Sequence, residues 1–387
     1  MIKLLKDKII FILFLIPLFP HLSLNIESIH LDDIPIILYI FLVFLSSKKL
    51  FEVDNVKNFY PMLIFVFYIF IQNVFIYNDS LNTEIFRYSF YLILFLHLQS
   101  INKNKVLYHK LPIYLFYFLA SFAITSYFFN LNLGTDSYNY WNIGLNNNEW
   151  GFTPGRVNGF QAGGPNSFGD LICVLGIYTL ANVKEQMKPL IVFLSFVSCF
   201  FTYSRSSLIV LTLFMIVYLI QKSDLKNLSV LILAILFTLN FGLIERFTSE
   251  KETEGIQDRI EMQTATSGYL TNQNLTSLFV GNGLNNVGVV NDKVGSVNSF
   301  DENLRVTGPH NSYLFFILKY GIIGLIMYLL IFNKYIKKIL NINLKKLFIN
   351  GSFLSVSAFL TLGLTSDLLH NHTVVWLIFY FLYDLNE

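Results

Sequence analysis

The sequence predicts an all-α integral membrane protein that crosses the bilayer about twelve times. Two observations lead to this prediction. Of the 387 residues, 54% are hydrophobic and only 13% are charged, and there are 40 Phe and 22 Tyr. A soluble domain does not need so much apolar surface, so part of it must face lipid. In addition, the apolar residues form separate runs without an internal repeat or a separate soluble domain, so residues 1–387 are predicted to form a single transmembrane domain.

The predicted spans are these apolar runs, some of which are short for a membrane span. They centre on residues 9–24, 34–47, 59–77, 85–99, 111–129, 167–182, 189–204, 206–221, 228–244, 311–332, 347–365 and 373–385. The first run follows three lysines, as in a signal peptide, but it has no small-x-small cleavage pattern and many spans follow it. We therefore expect an uncleaved first helix. Two segments between spans are long, 130–166 and 245–309, and both are rich in Gly, Asn, Ser and Thr.

The lysines predict the orientation of the chain. Eighteen of them lie in alternate loops, from Lys3, Lys6 and Lys8 at the N-terminus to Lys345 and Lys346 near the C-terminus, whereas Lys251 and Lys293 lie on the other side and Lys319 within a span. Cytoplasmic loops of membrane proteins are enriched in positive charge. We therefore expect a multi-pass protein of the cytoplasmic membrane with both termini in the cytoplasm. The two long segments are then the first and second large extracytoplasmic (periplasmic) loops.

The arginines are sorted to the opposite face. All of them fall on or near the predicted outer side, namely Arg87, Arg156, Arg205, Arg246, Arg259 and Arg305. Orientation needs only positive charge, which lysine supplies, whereas a planar guanidinium group can bind two oxygens of one phosphate or carboxylate. The pattern predicts an outer surface that binds an anion. The alternative is that these arginines pair with acidic neighbours such as Glu245, Glu252 and Asp258.

Other classes of function receive no support from the sequence. The net charge is +2 and no basic tract is present, so nucleic acid is not a predicted partner. Cys173 and Cys199 lie in apolar runs and read as core residues rather than as a disulfide framework. Asp367, His370 and His372 are more simply an interfacial loop than a metal site, because no fourth ligand is evident. We interpret His21 and His30 in the same way, and no cofactor is predicted.

The segment Gly308-Pro309-His310-Asn311-Ser312-Tyr313-Leu314 ends the second long loop and leads into an apolar run. Proline suits a helix start, so the pattern places His310 on the first turn of a span, at the membrane surface. An imidazole there can titrate near physiological pH. The alternative is that a polar first turn merely marks the boundary between water and lipid. We expect Asn311 to cap this helix or pack in the loop rather than to orient His310.

Several segments in this region form an ordered set of motifs. They are Pro154-Gly155-Arg156-Val157-Asn158-Gly159-Phe160 with Gly164-Pro165-Asn166-Ser167, then Tyr203-Ser204-Arg205-Ser206-Ser207, then Gly281-Asn282-Gly283, and finally Pro309–Leu314 with Gly321 and Gly324. In this order they resemble the R-x-x-G-x-F…P-N, S-R-[GS] and G-x-G…H-N-x-Y-L…G-x-x-G motifs of the O-antigen ligase and polymerase superfamily. The resemblance covers residues 150–330, under half of the chain, and the first five spans match only in hydropathy.

This resemblance implies a GT-C-like, metal-independent membrane glycosyltransferase on the outer face of a bacterial cytoplasmic membrane. Its substrate would be a glycan on undecaprenyl pyrophosphate, and its partners membrane lipid, a repeat-unit flippase and a chain-length regulator. We favour a Wzy-type polymerase of O-antigen or capsular polysaccharide. A ligase that transfers the glycan to lipid A–core is the nearest alternative. A flippase or exporter is the third, but the sequence shows few charges within spans and no sign of the broken helices that transporters tend to have.

The chemistry of the residues agrees with this assignment. A lipid pyrophosphate is a good leaving group, so its release mainly requires fixed positive charge. Arg156 and Arg205 are the first candidates to bind it and Arg259 is the third. Arg246 and Arg305 rank lower as partners of nearby acids. His310 is the candidate general base for the acceptor hydroxyl, with its pKa lowered by nearby arginines so that it stays neutral.

Further residues have predicted supporting roles, and each has a simpler structural interpretation as well. Asn311, Tyr313, Gly159 and Asn166 belong to the motifs, and the glycines Gly159, Gly163 and Gly164 permit turns or a close approach of the backbone to a ligand. Aromatic residues of the first long loop either stack on sugar rings or mark the membrane interface; these are Trp141, Trp150, Phe152 and Phe160.

Overall fold

The computed structural model describes residues 9–19, 33–46, 60–77, 83–100, 106–133, 143–146, 155–160, 164–248, 250–283, 310–341, 348–366, 368 and 372–385. Within these residues the chain is mostly helical and its strands are confined to one short pair, which confirms the all-α prediction. Every predicted span contains a helix.

The N-terminal elements are a 3-10 helix, Ile9–Leu18, followed by four α-helices. These are α1 (Ile34–Ser46), α2 (Tyr60–Ile71, continued by a π-helical turn over Gln72–Ile76), α3 (Thr83–Ser100) and α4 (Val106–Phe128). Their sequences are almost entirely apolar, so a helix, which pairs its own backbone groups, is the structure expected in lipid. An ion pair joins the start of α1 to α3, since Arg87 Nη2 lies 3.3 Å from Asp33 Oδ1.

The remaining elements of the described residues are two strands and eleven α-helices. The strands β1 (Gly144–Asn146) and β2 (Arg156–Asn158) are antiparallel, with Asn146 opposite Arg156. The helices are α5 (Gly164–Asn182), α6 (Lys188–Phe201), α7 (Arg205–Gln221), α8 (Leu225–Leu239), α9 (Leu243–Thr248), α10 (Glu250–Thr271), α11 (Leu275–Val280), α12 (Ser312–Ile331), α13 (Asn333–Asn341), α14 (Gly351–Leu362) and α15 (His372–Asp384). A short 3-10 turn, Glu185–Met187, precedes α6.

The surface of the helices is suited to lipid. Large apolar side chains remain exposed on different helices, among them Phe41 (58% exposed), Phe67 (61%), Leu233 (60%) and Ile326 (53%). Such surface is unfavourable in water and favourable against acyl chains. Among the described residues, two stretches, His109–Phe128 and Ser312–Ile331, are long and apolar enough to cross a membrane, and the other apolar helices there are shorter. The number of spans, their orientation and the two large loops stay predictions.

Helix α5 lies at the centre of the packing. It is buried along most of its length and contacts α4, α6, α7 and α14. Gly169 allows one close approach, because a Cβ atom at this position would lie 2.7 Å from Thr202 Oγ1 at the end of α6. The N-terminal part of α5 is thereby fixed against the turn between α6 and α7.

Helix α12 is interrupted at Gly321, whose backbone angles are φ 69° and ψ 179°. A Cβ atom there would lie 2.2 Å from the Phe279 carbonyl oxygen, so only glycine fits. The expectation that no helix is broken was therefore wrong. An isolated glycine in an apolar run gives little warning of a break, and the segment that fills the break lies about forty residues earlier in the chain.

The Gly281-Asn282-Gly283 motif fills this break. The backbone N–H of Asn282 donates to the Leu318 carbonyl (2.9 Å) and that of Gly283 donates to the Lys319 carbonyl (3.1 Å). The Tyr68 hydroxyl donates to the Tyr320 carbonyl (2.6 Å). Carbonyls that lose their helical partners in α12 are thus paired by other parts of the chain, as a non-aqueous environment requires. The break is therefore occupied by the Gly281–Gly283 segment.

Candidate functional site

The S-R-S motif forms a sharp turn between α6 and α7. Helix α6 ends at Phe201, Tyr203 adopts a left-handed backbone conformation (φ 51°), and α7 begins at Arg205. The Tyr203 hydroxyl donates to the Phe241 carbonyl at 2.6 Å, which holds the turn against the end of α8. The turn presents two consecutive carbonyls, those of Thr202 and Tyr203, to neighbouring side chains. We call residues 202–205 the arginine turn.

Two arginines from distant segments bind these two carbonyls. Arg156 on β2 donates through Nε to the Thr202 carbonyl (3.1 Å) and through Nη2 to Asn166 Oδ1 (2.7 Å). Arg246 on α9 donates through Nε to the Tyr203 carbonyl (2.7 Å). Both guanidinium groups are therefore fixed beside Arg205, the first residue of α7. Arg156 and Arg205 thus belong to the surroundings of the same turn, and Asn166 accepts a hydrogen bond that holds Arg156.

Arg259 on α10 completes a group that we call the arginine cluster: Arg156, Arg205, Arg246 and Arg259. Burial lowers the pKa of Arg246 to about 8, and the charges of Arg156, Arg205 and Arg259 contribute to this shift. The positive charges of three arginines thus reach Arg246, and an anion bound beside them would be stabilised by these guanidinium groups. Arg246, which ranked lower in the sequence analysis, lies in this cluster and donates to a carbonyl of the arginine turn.

His310 forms a second turn, which we call the histidine turn (residues 310–312). Asn311 caps α12, since its Oδ1 accepts from the backbone N–H of Tyr313 (3.0 Å) and Leu314 (3.2 Å). This confirms the capping prediction. His310 precedes the cap and has a left-handed φ of 47°, so its predicted place on the first helical turn was wrong. Asparagine is a strong N-cap residue, and it starts the helix later than the proline rule suggested.

The histidine turn is electrostatically connected to the arginine cluster. Burial lowers the pKa of His310 to about 4, and the positive charge of Arg259 contributes. The imidazole is therefore neutral at physiological pH, as predicted. Ser312 anchors the turn to the end of α14, with its backbone N–H donating to the Gly363 carbonyl (2.8 Å) and its hydroxyl to the Ser366 carbonyl (2.6 Å).

Asp170 is a residue of this region that the sequence analysis missed. It lies near the start of α5, is 1% exposed, and accepts a hydrogen bond from Ser207 Oγ at 2.6 Å. Its carboxylate also interacts with the charge of Arg259. The available signal was a single acidic residue within an otherwise apolar span, since ionisable groups in such positions are commonly functional.

Other predicted residues serve packing. A Cβ atom at Gly159 would lie 2.5 Å from the Phe168 ring, so this glycine allows close packing rather than the approach of a ligand. Phe160 packs on Phe122, with ring centroids 4.6 Å apart, so it belongs to the core rather than to a sugar-stacking surface. The Tyr313 hydroxyl donates to the Leu360 carbonyl (2.7 Å) and ties α12 to α14.

Several predictions fall on residues that lie outside the described part of the chain. These residues are His21, His30, Trp141, Trp150, Phe152, Gly163, Arg305, Pro309, Asp367 and His370. His372 is described only as the first residue of α15. Gly164, at the start of α5, has a left-handed φ of 64°, as expected for a turn glycine.

Comparison with known families decides the relationship of this region. Residues 190–329 match the family model described as O-antigen ligase. This part of the chain is similar to an O-antigen ligase domain. This confirms the O-antigen ligase and polymerase superfamily predicted from the motifs. The matched range includes Arg205, Arg246, Arg259 and His310, whereas the Arg156 segment and Asp170 lie before it. A comparison with curated proteins gave no match.

The family is membrane-integral, and its members are ligases and polymerases that transfer glycosyl groups. The O-antigen ligase domain therefore supports a glycosyl-transferring enzyme in a membrane. The two turns that the structure brings together both contribute residues from within the matched range.

Proposed function

We propose that this protein polymerises undecaprenyl-pyrophosphate-linked oligosaccharide repeat units into O-antigen or capsular polysaccharide on the outer face of the cytoplasmic membrane. The observation that carries this proposal is the arginine cluster beside a neutral histidine. The positive charge of the arginine cluster suits a pyrophosphate, and a neutral histidine can accept the proton of the acceptor hydroxyl of a sugar. Arg259 connects the two, because its charge acts on both Arg246 and His310.

The arginine cluster would bind the pyrophosphate of the donor. Negative charge grows on the departing phosphate oxygen as the sugar–phosphate bond breaks, and fixed guanidinium groups stabilise that charge. Arg156 and Arg246 suit this role because the carbonyls of Thr202 and Tyr203 already hold their Nε atoms in place. Little reorganisation would then be needed during the reaction. The planar groups can also bind two phosphate oxygens at once.

His310 would act as the general base. The acceptor oxygen attacks the anomeric carbon, the bond from that carbon to the phosphate oxygen breaks, and the hydroxyl proton moves to the imidazole. With a pKa of about 4, His310 is neutral but weakly basic. A pyrophosphate bound beside Arg259 would offset the arginine charge and raise the pKa of His310. The base would therefore be strongest when the donor is in place.

A ligase is the second candidate function, because the matching family model is described as O-antigen ligase. Donor and leaving group are the same in both reactions, and only the acceptor differs. A ligase would transfer the completed glycan to lipid A–core. A polymerase would transfer the growing chain to the next lipid-linked repeat unit, in a membrane that also holds a repeat-unit flippase and a chain-length regulator.

Deletion of the gene followed by analysis of the surface glycan tests the proposal. A single repeat unit on lipid A–core, or the loss of long capsular chains, is the result expected for a polymerase. Long chains that stay on undecaprenyl pyrophosphate would instead identify a ligase. Repeat units that accumulate on the cytoplasmic leaflet would indicate a flippase or exporter, and an unchanged glycan would refute all three functions.

A further inference from the structure

The two turns of the site come from distant parts of the sequence. The arginine turn lies between α6 and α7, and the histidine turn lies before α12, about one hundred residues later. A transfer reaction requires the leaving group and the base to keep a fixed separation. The buried carboxylate of Asp170, on the central helix α5, lies near residues that hold each of these two turns.

The first connection leads to the arginine turn. Ser207 Oγ donates to Asp170 Oδ1 at 2.6 Å, and Ser207 Oγ lies 2.6 Å from Ser204 Oγ in a second hydrogen bond. Ser204 and Ser207 flank Arg205 on either side in the sequence. All three hydrogen-bonding residues are buried, with exposures of 2% or less. Asp170 therefore fixes the start of α7 through its hydrogen bond with Ser207.

The second connection leads to the histidine turn. Ser366 lies close enough to the Asp170 carboxylate for its hydroxyl to influence it, and that hydroxyl donates to the Leu362 carbonyl (2.9 Å). The carbonyl of the same Ser366 accepts from the Ser312 hydroxyl (2.6 Å) and from the Ser312 backbone N–H (3.2 Å). Ser312 is two residues after His310. The Asp170 carboxylate is thus hydrogen-bonded to Ser207 at the helix start that carries Arg205, and it lies beside Ser366, which holds the helix start that follows His310.

Electrostatics link the same groups. The charge of Arg259 acts on Asp170 and on His310. Asp170 therefore has two ways to influence the site, through its neighbours Ser207 and Ser366 and through its attraction to Arg259. Its side chain lies in the packed interior, since Asp170 is 1% exposed.

We propose that Asp170 is a positioning residue for glycosyl transfer, holding the arginine turn and the histidine turn at the separation that the donor phosphate and the acceptor hydroxyl require. This inference rests on the proposed function. A residue of this kind affects turnover more than donor binding, because Arg156 and Arg246 have their own anchors on the Thr202 and Tyr203 carbonyls. A residue needed only for folding would lower the amount of stable protein and leave turnover per molecule unchanged.

The test measures kcat and KM for polymer formation by the purified full-length protein, using lipid-linked repeat units extracted from the deletion strain. We expect Asp170→Ala to lower kcat about 100-fold with KM changed less than about threefold. Asp170→Asn keeps an oxygen that can accept from Ser207 and should retain about ten times more activity than Asp170→Ala. Ser207→Ala, which keeps the carboxylate, should lower kcat about tenfold.

Two control variants separate positioning from folding. Ser198 is a buried serine on α6 that donates to carbonyls of its own helix, so Ser198→Ala should keep wild-type kcat. Asp33→Asn removes a buried carboxylate that pairs with Arg87, and it should lower thermal stability without lowering kcat.

Each outcome supports or overturns the inference. A kcat for Asp170→Ala within threefold of that for Asp33→Asn overturns it, as does a rise in KM at unchanged kcat. If Asp170→Ala does not accumulate in the membrane, Ser207→Ala decides: activity equal to that of Ser198→Ala rejects the positioning role. Failure of the proposed function has a different signature, since the wild-type protein itself would then form no polymer.

Discussion

The arginine turn and the histidine turn are built alike but fixed differently. Each contains a non-glycine residue with left-handed backbone angles, Tyr203 (φ 51°) and His310 (φ 47°), just before a helix begins. The arginine turn is held by guanidinium groups on its carbonyls, and its helix α7 is continuous. The histidine turn is held by Ser312, and its helix α12 is broken at Gly321 and completed by the Gly281–Gly283 segment.

The difference matches the chemistry that we propose for each turn. Stabilising a leaving pyrophosphate requires several charges at fixed positions, and a turn with several anchors provides them. Accepting a proton requires one group with a tuned pKa, which burial and a single charge from Arg259 provide. Left-handed angles alone do not mark a functional turn, because Asn130 and Ser223 adopt them as well. The following predictions test the contrast, beginning with the largest expected effect.

Substitution of Arg156 tests whether fixed geometry, and not charge alone, matters in the arginine turn. Arg156→Lys keeps the charge, but an ammonium group cannot reproduce the planar contacts with the Thr202 carbonyl and Asn166. We expect the rate of polymer formation to fall about 100- to 1000-fold. Arg87→Lys is the matched control, since Arg87 pairs with Asp33, and it should stay near the wild-type rate. A wild-type rate for Arg156→Lys would show that charge alone suffices.

Substitution of His310 tests the proton-transfer role of the other turn. Glutamine is polar and similar in size but cannot take up a proton, so His310→Gln should lower the rate about 100-fold or more. Binding of inorganic pyrophosphate, measured by calorimetry on the purified protein, should change little because the arginine cluster is intact. His109→Gln, in a partly exposed histidine 3.4 Å from Asp384, provides the control. Equal activity of the two variants would remove His310 from the mechanism.

The break in α12, the helix that follows the histidine turn, should make the stability of the protein sensitive to a methyl group added at Gly321. Gly321→Ala places a Cβ atom against the Phe279 carbonyl and forces alanine into a backbone conformation that glycine strongly favours. We expect a loss of about 1–3 kcal/mol in stability, seen as a lower Tm of the detergent-purified protein. At Gly268 of α10 an added Cβ meets no atom within 4 Å, so Gly268→Ala should stabilise the protein by up to about 1 kcal/mol. A Tm for Gly321→Ala at or above that of Gly268→Ala would contradict the described break.

The smallest expected effect is a shift in the pH profile. Arg259 helps to lower the pKa of His310 to about 4, so Arg259→Gln should raise that pKa towards 6.5. Because the base works only when neutral, activity is lost as the pH falls through this pKa. The acidic limb of kcat/KM should therefore move to higher pH in Arg259→Gln, whatever its overall rate. An unmoved limb, as expected for the control Arg87→Gln, would show that the two turns are not electrostatically connected.

Much of the fold and some of the site could be predicted from local features of the sequence. Each apolar run contains a helix in the structure. This was predictable because, away from water, a helix pairs all the backbone groups of such a run. The sorting of lysine and arginine indicated which cations to consider, and the motif order indicated the superfamily. The cap at Asn311 followed from the residue type alone.

The features that the sequence did not reveal at Arg246, Asp170 and Gly321 share one physical cause, which is dependence on contacts between distant segments. Arg246 ranked lower because acidic residues are its neighbours in sequence, whereas in the structure it donates to the Tyr203 carbonyl, 43 residues away. Asp170 was missed because a single acidic residue reveals nothing about the serines that bind it. The sequence around Gly321 does not reveal the break in α12, because the Asn282 and Gly283 backbone groups that pair with its carbonyls come from another segment.

The sequence by itself determined the helical class, the suitability for a membrane and the kinds of chemistry available, because these depend on composition and on short-range pattern. Tertiary structure alone decided that four arginines, one histidine and one buried carboxylate share a site. Like charges repel and buried carboxylates are costly, so such a group persists only where folding places the Thr202 and Tyr203 carbonyls and the hydroxyl of Ser207 around it.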